Sequence, residues 1–202
     1  NEHGLQNTIT FSPIFGGVVP RQNTGISFNK AVSLAGYAQL EFHLTPQFDI
    51  VGGARITRDK KSGSFDFGPT PATVQTVSFK YRKTKPTFLL GVNWKPAERT
   101  LVYGKFSTGY VSGGSVAGIP FAPETVTSWE AGVKADFLDN KLRTNLALFH
   151  ASYKHVQGPS APTSPEAAAF VDRFTGNPLI KNFIGTFVAE LGNVKAKGFE
   201  FD

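Results

Sequence analysis

The side chains best equipped for recognition chemistry are few and dispersed. Tyr81 and Arg82 are adjacent, Tyr110 stands alone, and Arg173 and Phe174 are adjacent again. Aromatic rings stack and attract cations, and a guanidinium grips carboxylates through paired donors. These five are the candidate ligand-binding residues. No catalytic set accompanies them. Ser, His and Asp occur without a nucleophile-elbow pattern, and Glu41 and Glu130 lack the pocket and third group of an acid–base pair. An enzyme is therefore not expected. His150 and His155 have opposite strand parity, and His3 and His43 lie far from them, so neither a metal site nor another cofactor is expected. Residues 112–118 are glycine-rich but lack the Gly-Lys-Ser/Thr ending of a phosphate cradle, and fit a loop that must bend. The absence of cysteine removes disulfides and thiolate metal sites.

A net charge of +6 raises nucleic acid and anionic lipid as partners. The one local basic cluster is Lys80, Arg82, Lys83 and Lys85, and no aromatic–basic recognition motif accompanies it, so nucleic acid is not expected. No apolar run approaches the ~18 residues of a membrane helix, and no signal peptide is visible. The chain starts at Asn1 without Met and stops at Asp202 inside an alternating run, as expected for an internal piece of a longer protein.

What must position these residues is a set of strands. In "TVTSWEAGVKADF" the set Thr125, Thr127, Trp129, Ala131, Val133, Ala135, Phe137 interleaves with Val126, Ser128, Glu130, Gly132, Lys134 and Asp136. Segregation at period two is the pattern of a half-buried strand. Leu138, Asp139, Asn140 and Lys141 then make a tight turn into a second strand with Leu142, Leu146 and Leu148 outward from Arg143 and Asn145. Phe149 and Tyr153 fall on the polar parity there, so a bulge is considered. The same hairpin is predicted for 34–44 with 48–57, and for 87–94 with 101–110. A last strand covers 195–202, for about seven in all.

Loop lengths are asymmetric. Short turns join one end of the strands, while 59–76, 111–123 and 155–187 are expected as long loops, with 1–32 beside them. Outer-membrane barrels have short periplasmic turns and long external loops. Phe42, Phe48, Trp94 and Phe137 all sit beside the short turns on the apolar parity, as an interfacial girdle does. The polar parity carries Glu41, Asp49, Arg55, Lys105, Glu130, Lys134, Asp136 and Arg143, which fit a wet lumen. One short helix is predicted at Ser164, Pro165 and Glu166 followed by three alanines and Phe170.

The segment "PETVTSWEAGVKADFLDNKLRTNLALF" resembles a hairpin of TonB-dependent outer-membrane receptors, through Pro123, Glu124, Glu130, Gly132 and Lys134. "YGKFSTGYVSGG" resembles a family strand ending at Tyr110, Gly113 and Gly114. "GGARITRDKK" resembles its Gly-x-Arg strand, with Gly53, Arg55 and Arg58, and "GNVKAKGFEFD" a later strand with Lys197, Gly198 and Glu200. The resemblance spans 33–202. It implies an all-β fold: an antiparallel transmembrane segment within a plugged barrel of ~22 strands, with 1–202 inside one barrel domain and the plug and terminal strands absent. The implied location is the bacterial cell outer membrane. The implied function is energy-coupled uptake of a scarce ligand of the siderophore-iron, cobalamin or glycan class. Implied partners are outer-membrane lipid and lipopolysaccharide, the inner-membrane TonB complex acting through the missing plug, and a small-molecule or metal-chelate ligand. A passive porin-like barrel and a soluble β-sandwich binding module remain the alternatives.

Overall fold

A computed structural model describes residues 7–8, 24–68, 73–139, 141–177, 184 and 186–202. In chain order the elements are β1 (Asn7–Thr8), β2 (Thr24–Thr45), β3 (Phe48–Gly68), β4 (Gln75–Ala97), β5 (Thr100–Val111), β6 (Gly114–Val116), β7 (Ile119–Phe121), β8 (Glu124–Phe137), β9 (Leu142–Lys154), β10 (Gln157–Ser160), α1 (Pro165–Thr175), β11 (Phe187–Glu190) and β12 (Val194–Phe201). One antiparallel sheet runs β1-β2-β3-β4-β5-β8-β9-β12, and two small two-stranded sheets, the hairpin β6-β7 and the pair β10-β11, stand apart from it. The seven long strands of the sheet are the seven expected. As a single sheet it is an arc of a barrel, unclosed within this chain.

Register explains why the period-two pattern matters. One rung joins Phe42, Ile50, Val92, Gly104, Ala131, Leu148 and Phe199 across seven strands, all on one face. The neighbouring rung joins Glu41, Val51, Gly91, Lys105, Glu130, Phe149 and Gly198 on the other. The apolar face is bare: Leu40 is 77% exposed, Phe42 65% and Phe199 73%, and among the described residues no second sheet covers it. That is not a sandwich. Leaving such side chains in water forfeits ~1.5–3 kcal/mol each, so this face requires hydrocarbon. Phe42, Phe48, Trp94 and Phe137 lie beside the short turns on it, with Phe48 paired to Trp94.

Three expectations need correction. Residues 59–76 are not a long loop, because β3 continues to Gly68 and β4 begins at Gln75. The stretch 1–32 likewise includes the first nine residues of β2, which starts at Thr24, and His3 lies outside the described residues. No bulge interrupts β8 and β9, whose register is continuous from Thr125↔Lys154 to Phe137↔Leu142. Phe149 keeps the inner parity because it lies over Gly198, whose missing side chain leaves room for the ring. The expected loop 111–123 holds the β6-β7 hairpin, and 155–187 holds β10 and α1.

The extended β3 and β4 invert their pattern partway up. Below residue 57 on β3, the even positions are apolar and face outward. Above it, Arg58, Lys60, Ser62, Ser64 and Asp66 take that parity, while Phe65 and Phe67 take the inner one. On β4 the outward set changes from Trp94, Val92, Leu90, Phe88 and Pro86 to Arg82, Lys80, Ser78 and Thr76, and Val77 and Phe79 turn inward. A sheet that leaves hydrocarbon meets water outside, and its inner face can then be covered by its own loops. The cluster of buried apolar residues lies there: Phe65, Phe67, Ala117, Ile119, Val171, Ile184 and Phe187.

Candidate functional site

The cap over the long-strand end is built from the loop elements. Ser164 caps α1 by accepting from the Ala167 N–H at 3.1 Å, Pro165 begins the helix, and Gly176 closes it in the left-handed region at φ 63°. Glu166 sits in the first turn, where its own backbone N–H and the Ser164 hydroxyl hold its carboxyl below the ordinary range. Val171 of α1 is fully buried against the β6-β7 hairpin and the tips of β3. Phe170 bridges to Phe187 at 5.7 Å between centroids and to Phe174 at 4.7 Å. Gln157 ties β10 to the start of β8, its N–H donating to Glu124 Oε2 at 3.1 Å and its amide to the Ala122 carbonyl at 2.8 Å.

Under this cap, on the inner face, lies the candidate site. The Tyr110 hydroxyl donates to Asp59 Oδ2 at 3.0 Å and lies 3.4 Å from the Tyr81 hydroxyl. Lys61 donates to the Gly113 carbonyl at 2.7 Å and stands 5.9 Å from the Tyr81 ring centroid. The β4-β5 ladder ends at Leu89↔Ser107, and just above it the Thr108 hydroxyl accepts from the Phe88 N–H at 2.8 Å. With that ladder ended, the top of β5 is free of β4's register, and Tyr110 reaches the face held by Asp59 and Tyr81. A cavity of about 230 Å³ opens beside it, lined by Lys61, Phe65, Phe79, Ser115 and Phe121 among others. Ser115 Oγ is buried and has no hydrogen-bond partner among the described residues.

Of the five sequence candidates, Tyr81 and Tyr110 are brought together. Arg82, next to Tyr81 on a strand, faces outward instead. Arg173 and Phe174 are exposed on α1 in the cap, and no contact among the described residues joins them to Tyr81. Sequence reasoning missed Asp59 and Lys61, having assigned them to a loop. The signal was present in "GSFDF", whose alternation continues β3 with its parity exchanged.

At the opposite end of the sheet, Glu41, His43 and Asp49 bring their ligand atoms within 4.8 Å of one another, a grouping that spacing along one strand did not reveal. Asp49 is almost wholly buried and already engaged: His43 Nδ1 lies 2.5 Å from one oxygen and Lys95 Nζ 2.7 Å from the other. A lysine fills the place a cation would take. Further along the inner face, Lys105 pairs with Glu130 at 2.9 Å and Tyr103 donates to the other Glu130 oxygen at 2.9 Å. These are cross-strand pairs suited to a wet lumen.

Comparison with known proteins agrees with this architecture. A profile of the family "TonB dependent receptor-like, beta-barrel" matches residues 3–202. The pesticin receptors of Yersinia enterocolitica and Yersinia pestis are each 28% identical over 142 residues, 67% of this chain and 21% of theirs. The chain thus spans about a fifth of the length of these relatives. Among solved structures, the ferric yersiniabactin uptake receptor FyuA of Yersinia pestis superposes with a TM-score of 0.67 at 22% identity, over 89% of this chain and 25% of that one. The siderophore receptor PiuA of Acinetobacter baumannii gives 0.53 at 21% identity, over 89% and 23%.

Proposed function

This chain belongs to the TonB-dependent receptor-like β-barrel family of the bacterial outer membrane, and from that premise we propose that it is the ligand-facing barrel segment of a receptor for energy-coupled uptake of an anionic metal chelate. The observation that carries the ligand class is the charge of the inner face beneath the cap. Arg55, Lys61, Lys83 and Lys85 stand there on β3 and β4 against one carboxylate, Asp59. Tyr81 and Tyr110 add two aromatic rings with hydroxyls. A ferric chelate with anionic donors matches cations, stacking surfaces and hydroxyl donors together. One structural neighbour takes up ferric yersiniabactin and another is a siderophore receptor, which favours this class over cobalamin or a glycan.

Transport belongs to the whole receptor. The barrel segment captures the ligand from outside, and the inner-membrane TonB complex acts through the plug region beyond this chain. The cap, which packs loops across the inner face at the outer end, favours this reading over an open porin. The test uses the complete receptor in iron-starved cells, with uptake of labelled ferric chelates measured with and without a functional TonB. Saturable uptake that disappears without TonB supports the proposal. Flux of small solutes indifferent to TonB would establish the porin reading instead.

A further inference from the structure

On the inner face beneath the cap, three rungs cross β2, β3 and β4: Ser27, Phe65 and Val77; Asn29, Gly63 and Phe79; Ala31, Lys61 and Tyr81. Gly63 is the centre of this grid and carries no side chain. A Cβ there would lie 2.7 Å from the Phe79 ring and 2.8 Å from Asn29 Oδ1. The Phe79 ring therefore leans across the glycine, and it lines the cavity of about 230 Å³ above it.

The β6-β7 hairpin roofs this cavity. Its turn meets the wall at Gly118, in the left-handed region at φ 84°, where the missing Cβ leaves room for Val77. Phe121, paired with Gly114 across the hairpin, lines the cavity from the roof. Three phenyl rings, Phe65, Phe79 and Phe121, thus share one space with the Lys61 side chain. Lys61 Nζ spends one of its three donors on the Gly113 carbonyl and lies 5.9 Å from the Tyr81 ring centroid. It therefore stands between the cavity and the Tyr81–Tyr110 pair.

We propose that this pocket seats a single hydroxyaryl arm of the transported chelate, with its ring among the three phenyl groups and its phenolate oxygen toward Lys61. An apolar cavity of roughly 150 Å³ already holds benzene, so one ring with its oxygen fits about 230 Å³. Ring against ring adds to the gain from burial alone. An aliphatic hydroxamate arm gains no stacking, and its amide would lose water against carbon. The free Lys61 donors supply a charge-assisted contact to the phenolate. The iron, bound through that oxygen, then lies over Tyr81 and Tyr110. The inference rests on reading the inner face as the capture site, and adds which donor class enters it: phenolates and catecholates before hydroxamates.

The experiment uses the complete receptor, purified in detergent, and isothermal titration calorimetry with two synthetic ferric chelates of equal net charge. One carries a single 2-hydroxyphenyl-oxazoline arm. In the other, an aliphatic hydroxamate, also a singly charged bidentate donor, replaces that arm. The aryl chelate is expected to bind about tenfold tighter. Ala31→Phe fills the pocket from an exposed position on the wall and removes that preference. Gln39→Phe, the same ring on the same face of β2 but outside the pocket, keeps it. Heat-modifiable gel mobility verifies folding, and Phe121→Ala, which removes one ring of the pocket, replaces Ala31→Phe if that variant does not fold. Binding also moves the phenolate-to-iron charge-transfer band to shorter wavelength, because a cation beside the oxygen stabilises its lone pairs, and Lys61→Met abolishes the shift. Equal binding of the two chelates, binding of neither, an unchanged preference in Ala31→Phe, or an equal loss for both chelates there overturns the proposal. A band shift that survives Lys61→Met overturns the placing of the oxygen. Capture in detergent needs no TonB. Uptake indifferent to TonB would thus leave an aryl preference standing, while TonB-dependent uptake without that preference would sink the pocket alone.

Discussion

Tyr110 and Asp59, 51 residues apart in sequence, are joined by one hydroxyl–carboxylate hydrogen bond of 3.0 Å. Asp59 is only 5% exposed, so removing its donor leaves a carboxylate oxygen poorly solvated. Tyr110→Phe is expected to cost ~1–3 kcal/mol locally. Hydrogen exchange should quicken in β6 and β7, which follow Tyr110, and remain unchanged in β8 and β9. Unaltered protection of β6 and β7 would contradict the bond's role in holding the cap.

Tyr103 lies across from Gly132 on the inner face, and its ring occupies the space a side chain would need. A Cβ at Gly132 would lie 2.6 Å from the Leu146 carbonyl oxygen and 2.7 Å from the ring. The ring also faces Lys134 Nζ at 5.7 Å. Gly132→Val is expected to destabilise the barrel by ~1–3 kcal/mol through overpacking, measured by denaturant titration in lipid vesicles. Gly36→Ala, where nothing lies within 4 Å, is the control and should cost far less.

The cap helix should respond to pH through Glu166. Its carboxyl is held below the ordinary value of 4.5 by donors at the helix N-terminus. A depressed acid contributes its stabilisation above that ordinary value and loses it as pH falls through the folded one. Amide protection of α1, corrected for intrinsic rates, should therefore drop on acidification, and Glu166→Gln should flatten that dependence. Ser164→Ala should loosen the helix at every pH by ~0.5–2 kcal/mol.

The cationic inner face predicts a charge dependence of ligand capture. Lys83→Gln with Lys85→Gln is expected to lower affinity for an anionic ferric chelate about tenfold at low salt, with the gap narrowing as salt rises. A neutral chelate of the same size should bind both proteins alike. Equal affinity of wild type and variant for the anionic chelate would remove the electrostatic argument for the ligand class.

Much of the fold was legible because the membrane part obeys a single rule. From Leu34 to Leu44, Phe48 to Ile56 and Trp129 to Phe137, one parity meets hydrocarbon and the other water, and alternation reveals it. The rule changes where β3 and β4 leave the bilayer. Lys60 and Ser62 then face outward while Phe65 and Phe67 face a cap folded from distant sequence, so the exchanged parity looked like the end of the strand. The site suffered for the same reason. Tyr81 and Tyr110 were recognisable by residue type, but Asp59 and Lys61 required knowing that β3 continues. The separation of Arg82 from Tyr81 follows from strand geometry alone, once 75–97 is a strand. Pairing of His43 with Asp49 depends on a turn that brings two strands together, which spacing along one strand does not report.

Leu89 and Leu90, adjacent on β4, offer the most direct test of which solvent meets each face. Leu90 pairs with Gly52 and Phe106 on the apolar side, and Leu89 with Gly53 and Ser107 on the other. In reversible folding of the complete receptor into lipid vesicles, Leu90→Arg should cost ~2–4 kcal/mol, as a cation near mid-bilayer does, and Leu89→Arg much less. Equal costs, or a larger cost at Leu89, would contradict the assignment of lipid to the even-numbered face of β4.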